Sequence, residues 1–86
     1  MPRLLIVDDI ETNREVLVAL LGPLGYETAE AADGVEALAR VREFSPDLVL
    51  CDILMPTMDG FTFVSALRAD PETAGTKVVF HTAHYH

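Results

Sequence analysis

Three aspartates stand where their type and placing could support chemistry. Asp8 and Asp9 directly follow the run Leu4-Leu5-Ile6-Val7, and Asp52 directly follows Leu48-Val49-Leu50-Cys51. A short, continuous apolar run reads as a strand covered on both faces. A carboxylate after such a run sits at the strand's carboxyl tip, which is where open α/β sheets bind ligands. If the two tips are neighbours, three carboxylates share one crevice and raise one another's pKa unless a cation is present. Hard oxygen donors at that density suit Mg²⁺ or another divalent cation, completed by water and a phosphate. A carboxylate beside such an ion can attack phosphorus and form an aspartyl phosphate, while the metal neutralises charge on the transferring group. Alone, an acidic pair at a strand end is as readily a solvated cap.

The rest of the chain must bring those tips together. Arg3 to Val7 reads as the first strand. Thr12 as N-cap with Glu15 three residues on has the form of a capping box. Val16, Leu17, Leu20, Leu21 and Leu24 then trace one face of a helix, which Gly22-Pro23 stops before a turn at Gly25. Tyr26 to Glu30 alternates weakly and reads as an edge strand. Asp33 caps a second helix with Glu36, its apolar side formed by Val35, Leu38, Ala39, Val41 and Phe44. Ser45-Pro46 closes it. Asp47 to Asp52 is the third strand. Pro56 and Gly60 mark a loop, Asp59 caps a third helix with Phe61, Phe63, Val64 and Leu67 facing inward, and Asp70-Pro71 ends it. Lys77 to His81 is a fourth strand, running out into Thr82 and Ala83. This βαβαβαβ order implies one α/β domain, residues 1–86, with a parallel sheet and right-handed helical crossovers. In strand order 2-1-3-4 the first and third tips adjoin. The first helix then covers one face of the sheet, and the second and third helices cover the other.

Composition narrows the function. Fourteen acidic residues against six basic ones give a net charge of −8 with no Lys/Arg cluster, which argues against direct contact with nucleic acid or an anionic membrane. No apolar run approaches the ~20 residues that span a bilayer, and the chain opens with no secretory signal. The single cysteine, Cys51, lies inside a strand; it excludes an intrachain disulfide, suits a reducing cytoplasm and reads as a buried structural thiol. Phe61, Phe63 and Phe80 read as core. Asn13 and Glu11, near the crevice mouth, read as surface loop residues. His81, His84 and His86 fit no zinc spacing.

Four segments taken together resemble the receiver domain of two-component response regulators. They are Leu5-Ile6-Val7-Asp8-Asp9, Asp47 to Asp52, Met55-Pro56-x-Met58-Asp59-Gly60, and Val78-Val79-Phe80-His81-Thr82-Ala83. The resemblance implies a flavodoxin-like (CheY-like) sheet and a phosphoacceptor rather than an enzyme, with at most slow autophosphorylation and autodephosphorylation. It places Asp52 as phosphoacceptor. Asp8 and Asp9 match the metal pair, with Asp9 the more direct ligand, and the backbone carbonyl of Leu54 joins Asp52 in completing the protein's ligands to Mg²⁺. Thr82 matches the switch hydroxyl, and Ala83 the small residue that leaves room for the phosphoryl group. The implied partner is a sensor histidine kinase or phosphotransfer protein.

The sequence departs from that family after its fourth strand. It has no counterpart to the fifth strand, the flanking helices, or the lysine that pairs with the phosphoryl group. Lys77, its only lysine, begins the fourth strand at the far end from the site. Two consequences are expected. The fourth strand becomes an exposed apolar edge open to a second copy or a partner chain, and the coupled movement of Thr82 weakens. The alternative function is a non-signalling interaction or oligomerisation domain that keeps the fold. A phosphatase-type hydrolase is disfavoured because Leu54 stands two residues after Asp52, where those enzymes usually carry a second acid.

Overall fold

The computed structural model describes residues 1–53 and 60–81. Four strands, β1 (Arg3–Val7), β2 (Glu27–Ala31), β3 (Leu48–Asp52) and β4 (Val78–His81), alternate with three helices, α1 (Glu11–Leu21), α2 (Gly34–Phe44) and α3 (Gly60–Ala69). The strands form one parallel sheet in the order β2-β1-β3-β4. Val7 pairs with Cys51, so the strands that carry the aspartates end side by side. The expected topology is therefore present, and β4 lies at a sheet edge. Asp59, Leu54, Thr82 and Ala83 lie outside the described residues.

One side of the sheet carries the main core. Leu5, Val7, Val49 and Cys51 point toward α2 and α3 and pack with Ala37, Val41, Phe63 and Leu67; Val78 and Phe80 of β4 pack against this cluster. Leu4 and Ile6 alternate to the opposite side and are also buried. Helix α1 lies against β1 and β2, yet it has no fully buried residue.

Local chemistry explains most boundaries. The Asp33 side chain accepts a hydrogen bond from the Glu36 backbone N–H, which starts α2 as the spacing predicts. Ser45 ends it in the left-handed region at φ 50°, a conformation costly for a residue with a Cβ. Gly22–Leu24 forms a single 3₁₀ turn after α1, and Gly25 takes φ 98°, which glycine adopts without that cost.

Four expectations need correction. Thr12 does not cap α1; Ile10 holds the cap position with no side-chain cap, and Thr12 lies within the first turn. The cause lies in the preceding loop, where the Asp8 carboxylate takes the Ile10 backbone N–H and the Ile10 carbonyl already accepts from Asn13 and Arg14. The apolar stripe of α1 is only partly inward: Leu17 and Leu21 are half-buried, while Val16, Leu20 and Leu24 are exposed. The inner sides of α2 and α3 are also narrower than expected. Val35, Ala39 and Phe61 are exposed, and Ala37, not anticipated, is fully buried. Phe61 instead rests tilted against Phe80, ring centres 5.2 Å apart. Strand bounds moved by one residue, with β2 beginning at Glu27 and β4 at Val78.

Candidate functional site

The carboxyl ends of β1 and β3 deliver Asp8 and Asp52 to one point. Their chain neighbours Val7 and Cys51 face the α2/α3 core, so alternation turns both aspartates to the other side of the sheet. Both are fully buried, and Asp9 is partly buried. One carboxylate oxygen from each of Asp8, Asp9 and Asp52 lies within 4.8 Å of the others. The three residues singled out in the sequence are thus brought together.

Asp8 is held from several directions. Its backbone N–H donates to the Ala31 carbonyl at 3.1 Å, which extends the β1–β2 ladder by one bond. Its Oδ1 accepts from the Ile10 N–H at 2.9 Å, and its Oδ2 accepts from the Asn13 side-chain amide at 3.4 Å. Arg14 Nη1 donates to the Asp8 carbonyl at 2.7 Å, while Arg14 Nε pairs with Glu30 at 3.1 Å. Arg14 thereby ties the first turn of α1 to both β1 and β2 without neutralising the Asp8 carboxylate. Burial pushes the Asp8 carboxyl above its ordinary value, opposed by the Ile10 hydrogen bond and reinforced by the Asp52 and, more weakly, Asp9 charges. Desolvation thus outweighs the like-charge effect. An added cation offsets both, so the donor set fits a hard divalent ion.

Asp52 is positioned by its surroundings at the end of β3. The next residue, Ile53, donates its N–H to the His81 carbonyl at 3.1 Å and accepts at its own carbonyl from the Gly60 N–H at 3.0 Å. Gly60 makes this packing possible. A Cβ there would stand 2.6 Å from a Phe80 ring carbon and 3.1 Å from the Asp52 carbonyl, so only glycine lets α3 start this close to the strand end. Burial, then the charges of Asp52 and Asp8, push the Cys51 thiol up to about 12, which keeps it protonated and unreactive.

Three further polar residues reach the site beyond those that the sequence singles out. Asn13, expected in a surface loop, sits in α1 and contacts Asp8. Arg14 gave no signal of its contact with the Asp8 backbone. His81 fits no zinc spacing in the sequence, yet it is the register partner of Asp52. Strand alternation from the core residue Phe80 was the signal that could have found it.

A profile described as response regulator receiver domain matches residues 4–86. The chain belongs to the response regulator receiver domain family. This receiver domain is 47% identical over 81 residues to the response regulator PleD of Caulobacter vibrioides, covering 94% of this chain and 18% of that protein. It is 43% identical over 81 residues to the DNA-binding response regulator MtrA of Mycobacterium tuberculosis, covering 94% of this chain and 34% of that one. Among solved structures it superposes on the N-terminal domain of a response regulator receiver protein from Methanoculleus marisnigri JR1 with a TM-score of 0.91 at 37% identity. The match to chemotaxis response regulator CheY4 of Vibrio cholerae has a TM-score of 0.87 at 38% identity. Those alignments cover 94% and 93% of this chain but 66% and 67% of the solved ones. The receiver domain therefore spans less than a fifth of PleD and about a third of MtrA. Among the described residues, no helix is long and apolar enough to cross a membrane.

Proposed function

We propose that this receiver domain is a phosphoacceptor in a two-component phosphorelay, with Asp52 as the acceptor. The observation that carries this is the meeting of the Asp8, Asp9 and Asp52 carboxylates at adjoining strand ends. On this reading an Asp52 carboxylate oxygen forms a bond to phosphorus. The bond from phosphorus to an imidazole nitrogen of a phosphohistidine donor breaks, and the electron pair stays on that imidazole. Asp8, Asp9 and Asp52, with the Leu54 carbonyl, would hold Mg²⁺ or another divalent cation. When bound, the ion supplies positive charge against the transferring phosphoryl oxygens. Asn13 and the Ile10 N–H hold Asp8 in place for it. Thr82 is the proposed switch hydroxyl, and Ala83 the proposed small residue beside the phosphoryl group.

The domain acts here as the substrate of a sensor histidine kinase or phosphotransfer protein and not as an enzyme in its own right, in the cytoplasm where its free thiol stays reduced. Its net charge of −8 assigns any DNA contact, such as the one in MtrA's name, to other parts of a longer protein. A second reading, an interaction domain that pairs through β4, is favoured by that strand's edge position and by Val79 being 49% exposed.

Treatment with an acyl phosphate and Mg²⁺, followed by intact-mass measurement, tests the first reading and separates it from the second. Wild type should gain one phosphoryl group. Asp52→Asn should gain none, and chelation of the metal should prevent the gain in wild type. A wild-type chain that stays unmodified, or an Asp52→Asn chain that is modified equally, rules out Asp52 as acceptor.

A further inference from the structure

Asp52 has neighbours on both sides in the sheet. Toward β1 lie the carboxylates of Asp8 and Asp9. Toward β4 lies His81, directly paired with Asp52 in the parallel register. Register partners in a parallel pair project to the same side, with strands about 4.8 Å apart. Phe80, next to His81, packs against the α2/α3 core, which turns His81 to the side that Asp52 occupies. The His81 carbonyl also accepts the Ile53 N–H, which fixes the histidine backbone beside the aspartate.

The imidazole Nε2 is buried and has no hydrogen-bond partner among the described residues. A buried ring nitrogen in that condition is unusual, and an absent ligand is one of its ordinary explanations. That ligand is not the divalent ion. The group of ligand atoms lying within 4.8 Å of one another comprises Asp8, Asp9 and Asp52, and His81 is outside it. A phosphoryl group on Asp52 brings three further acceptor oxygens into the crevice. A divalent ion held by Asp8, Asp9 and Asp52 would engage them from the β1 side, and His81 is the described polar side chain that flanks Asp52 on the β4 side.

We propose that His81 is a further residue of the phosphoryl site, its ring N–H donating a hydrogen bond to a terminal oxygen of the group on Asp52 from the β4 side. This rests on the phosphoacceptor reading. It gives the acyl phosphate a nitrogen donor on the β4 side of Asp52. No bond to His81 forms or breaks; it holds the phosphoryl group through a hydrogen bond to one of its oxygens.

Beryllium fluoride, which mimics a phosphoryl group on a carboxylate, is the probe, titrated with Mg²⁺ saturating; Mg²⁺ alone is titrated in parallel. His81→Val keeps a β-branched residue in the strand and removes the donor, while His81→Gln keeps an N–H donor. Beryllium fluoride should bind His81→Val about tenfold more weakly than wild type, a loss worth about 1.4 kcal/mol. The Mg²⁺ affinity should stay within about twofold, and His81→Gln should recover part of the loss. The acyl phosphate on Asp52 should form more slowly in His81→Val by a similar factor. Equal beryllium fluoride binding in wild type and His81→Val overturns the assignment, as does a fall in Mg²⁺ affinity in step with it, which would mark a structural effect. If wild type binds Mg²⁺ but takes up neither beryllium fluoride nor phosphoryl, both the phosphoacceptor reading and this one fail. If wild type takes up both and the variants match it, only His81 is wrong.

Discussion

On the side of the sheet under α2 and α3, Val7, Val49, Cys51, Phe63 and Leu67 have no exposed surface, whereas on the side under α1, Leu48 and Leu50 are half-buried and Val79 is 49% exposed. The two sides use the same strands and differ in what covers them. The first is sealed by two helices whose inner residues interlock. The second is sealed only along β1, where Leu4 and Ile6 are buried. Alternation puts Asp8, Asp52 and His81 on this second side, at its carboxyl end. Close apolar packing is therefore concentrated on one side and the acidic cluster on the other. An acidic crevice that repels itself without a cation is better tolerated where close packing is not also demanded.

The sharpest way to break this contrast is to cut into each side in turn. Phe63→Ala removes the largest side chain of the sealed side and should cost about 3–5 kcal/mol. That is a large share of the roughly 5–15 kcal/mol available to a domain of this kind. Leu50→Ala, on the half-covered side, should cost about 1–2 kcal/mol, because less apolar area leaves contact with protein. Urea unfolding midpoints, compared at unchanged slope, measure both. Equal losses would show that the two sides carry equal weight.

The contrast also explains what the sequence could and could not reveal. The strands β1 and β3 and their acidic tips were legible because an unbroken apolar run followed by aspartate has few other meanings. The Asp33 cap was legible because its partner, the Glu36 N–H, is three residues away and needs no tertiary context. The leucine stripe of α1 is less buried than its spacing suggests because periodicity shows that a helix has an apolar side, not that anything covers it. Thr12 and Glu15 had the spacing of a capping box, but the Asp8 side chain fixed the Ile10 N–H first and moved the helix start upstream. Asn13 and Arg14 reach Asp8 through the shape of the β1–α1 turn, which residue spacing does not encode, whereas the side of His81 follows from the alternation of β4 about Phe80.

A smaller effect is expected at the uncovered edge. Val79 lies on β4, the last strand of the sheet, with half its surface exposed. If this edge and the side beside it recruit a second copy, the wild-type mass measured by size exclusion with light scattering should rise with concentration. Val79→Lys places a charge on that strand and should hold the protein at monomer mass, with stability changed by no more than about 0.5 kcal/mol. A wild-type chain that is monomeric at every concentration would end the case for pairing through β4.

The smallest effect belongs to the ion pair that spans the two helices of the sealed side. Arg42 of α2 donates from Nη2 to Asp70 Oδ2 at 2.9 Å, just beyond the end of α3, and the Glu72 N–H donates to Asp70 Oδ1 at 3.0 Å. The Arg42 hydrogen bond first, and the Glu72 hydrogen bond second, hold the Asp70 carboxyl below its ordinary value of 3.8. A depressed carboxyl binds its proton less readily in the folded chain than in the unfolded one. Its stabilisation is therefore present above pH 3.8 and is lost as pH falls from there through the folded value. Asp70→Asn should remove it. The gap between the wild-type and variant urea midpoints should be constant near neutral pH and close as acid is added below that range. Both groups of the pair are partly exposed, so solvent and salt screen it, and the gap should shrink further at high ionic strength. A gap as large as that of Phe63→Ala would mean that charge, and not apolar packing, joins α2 to α3.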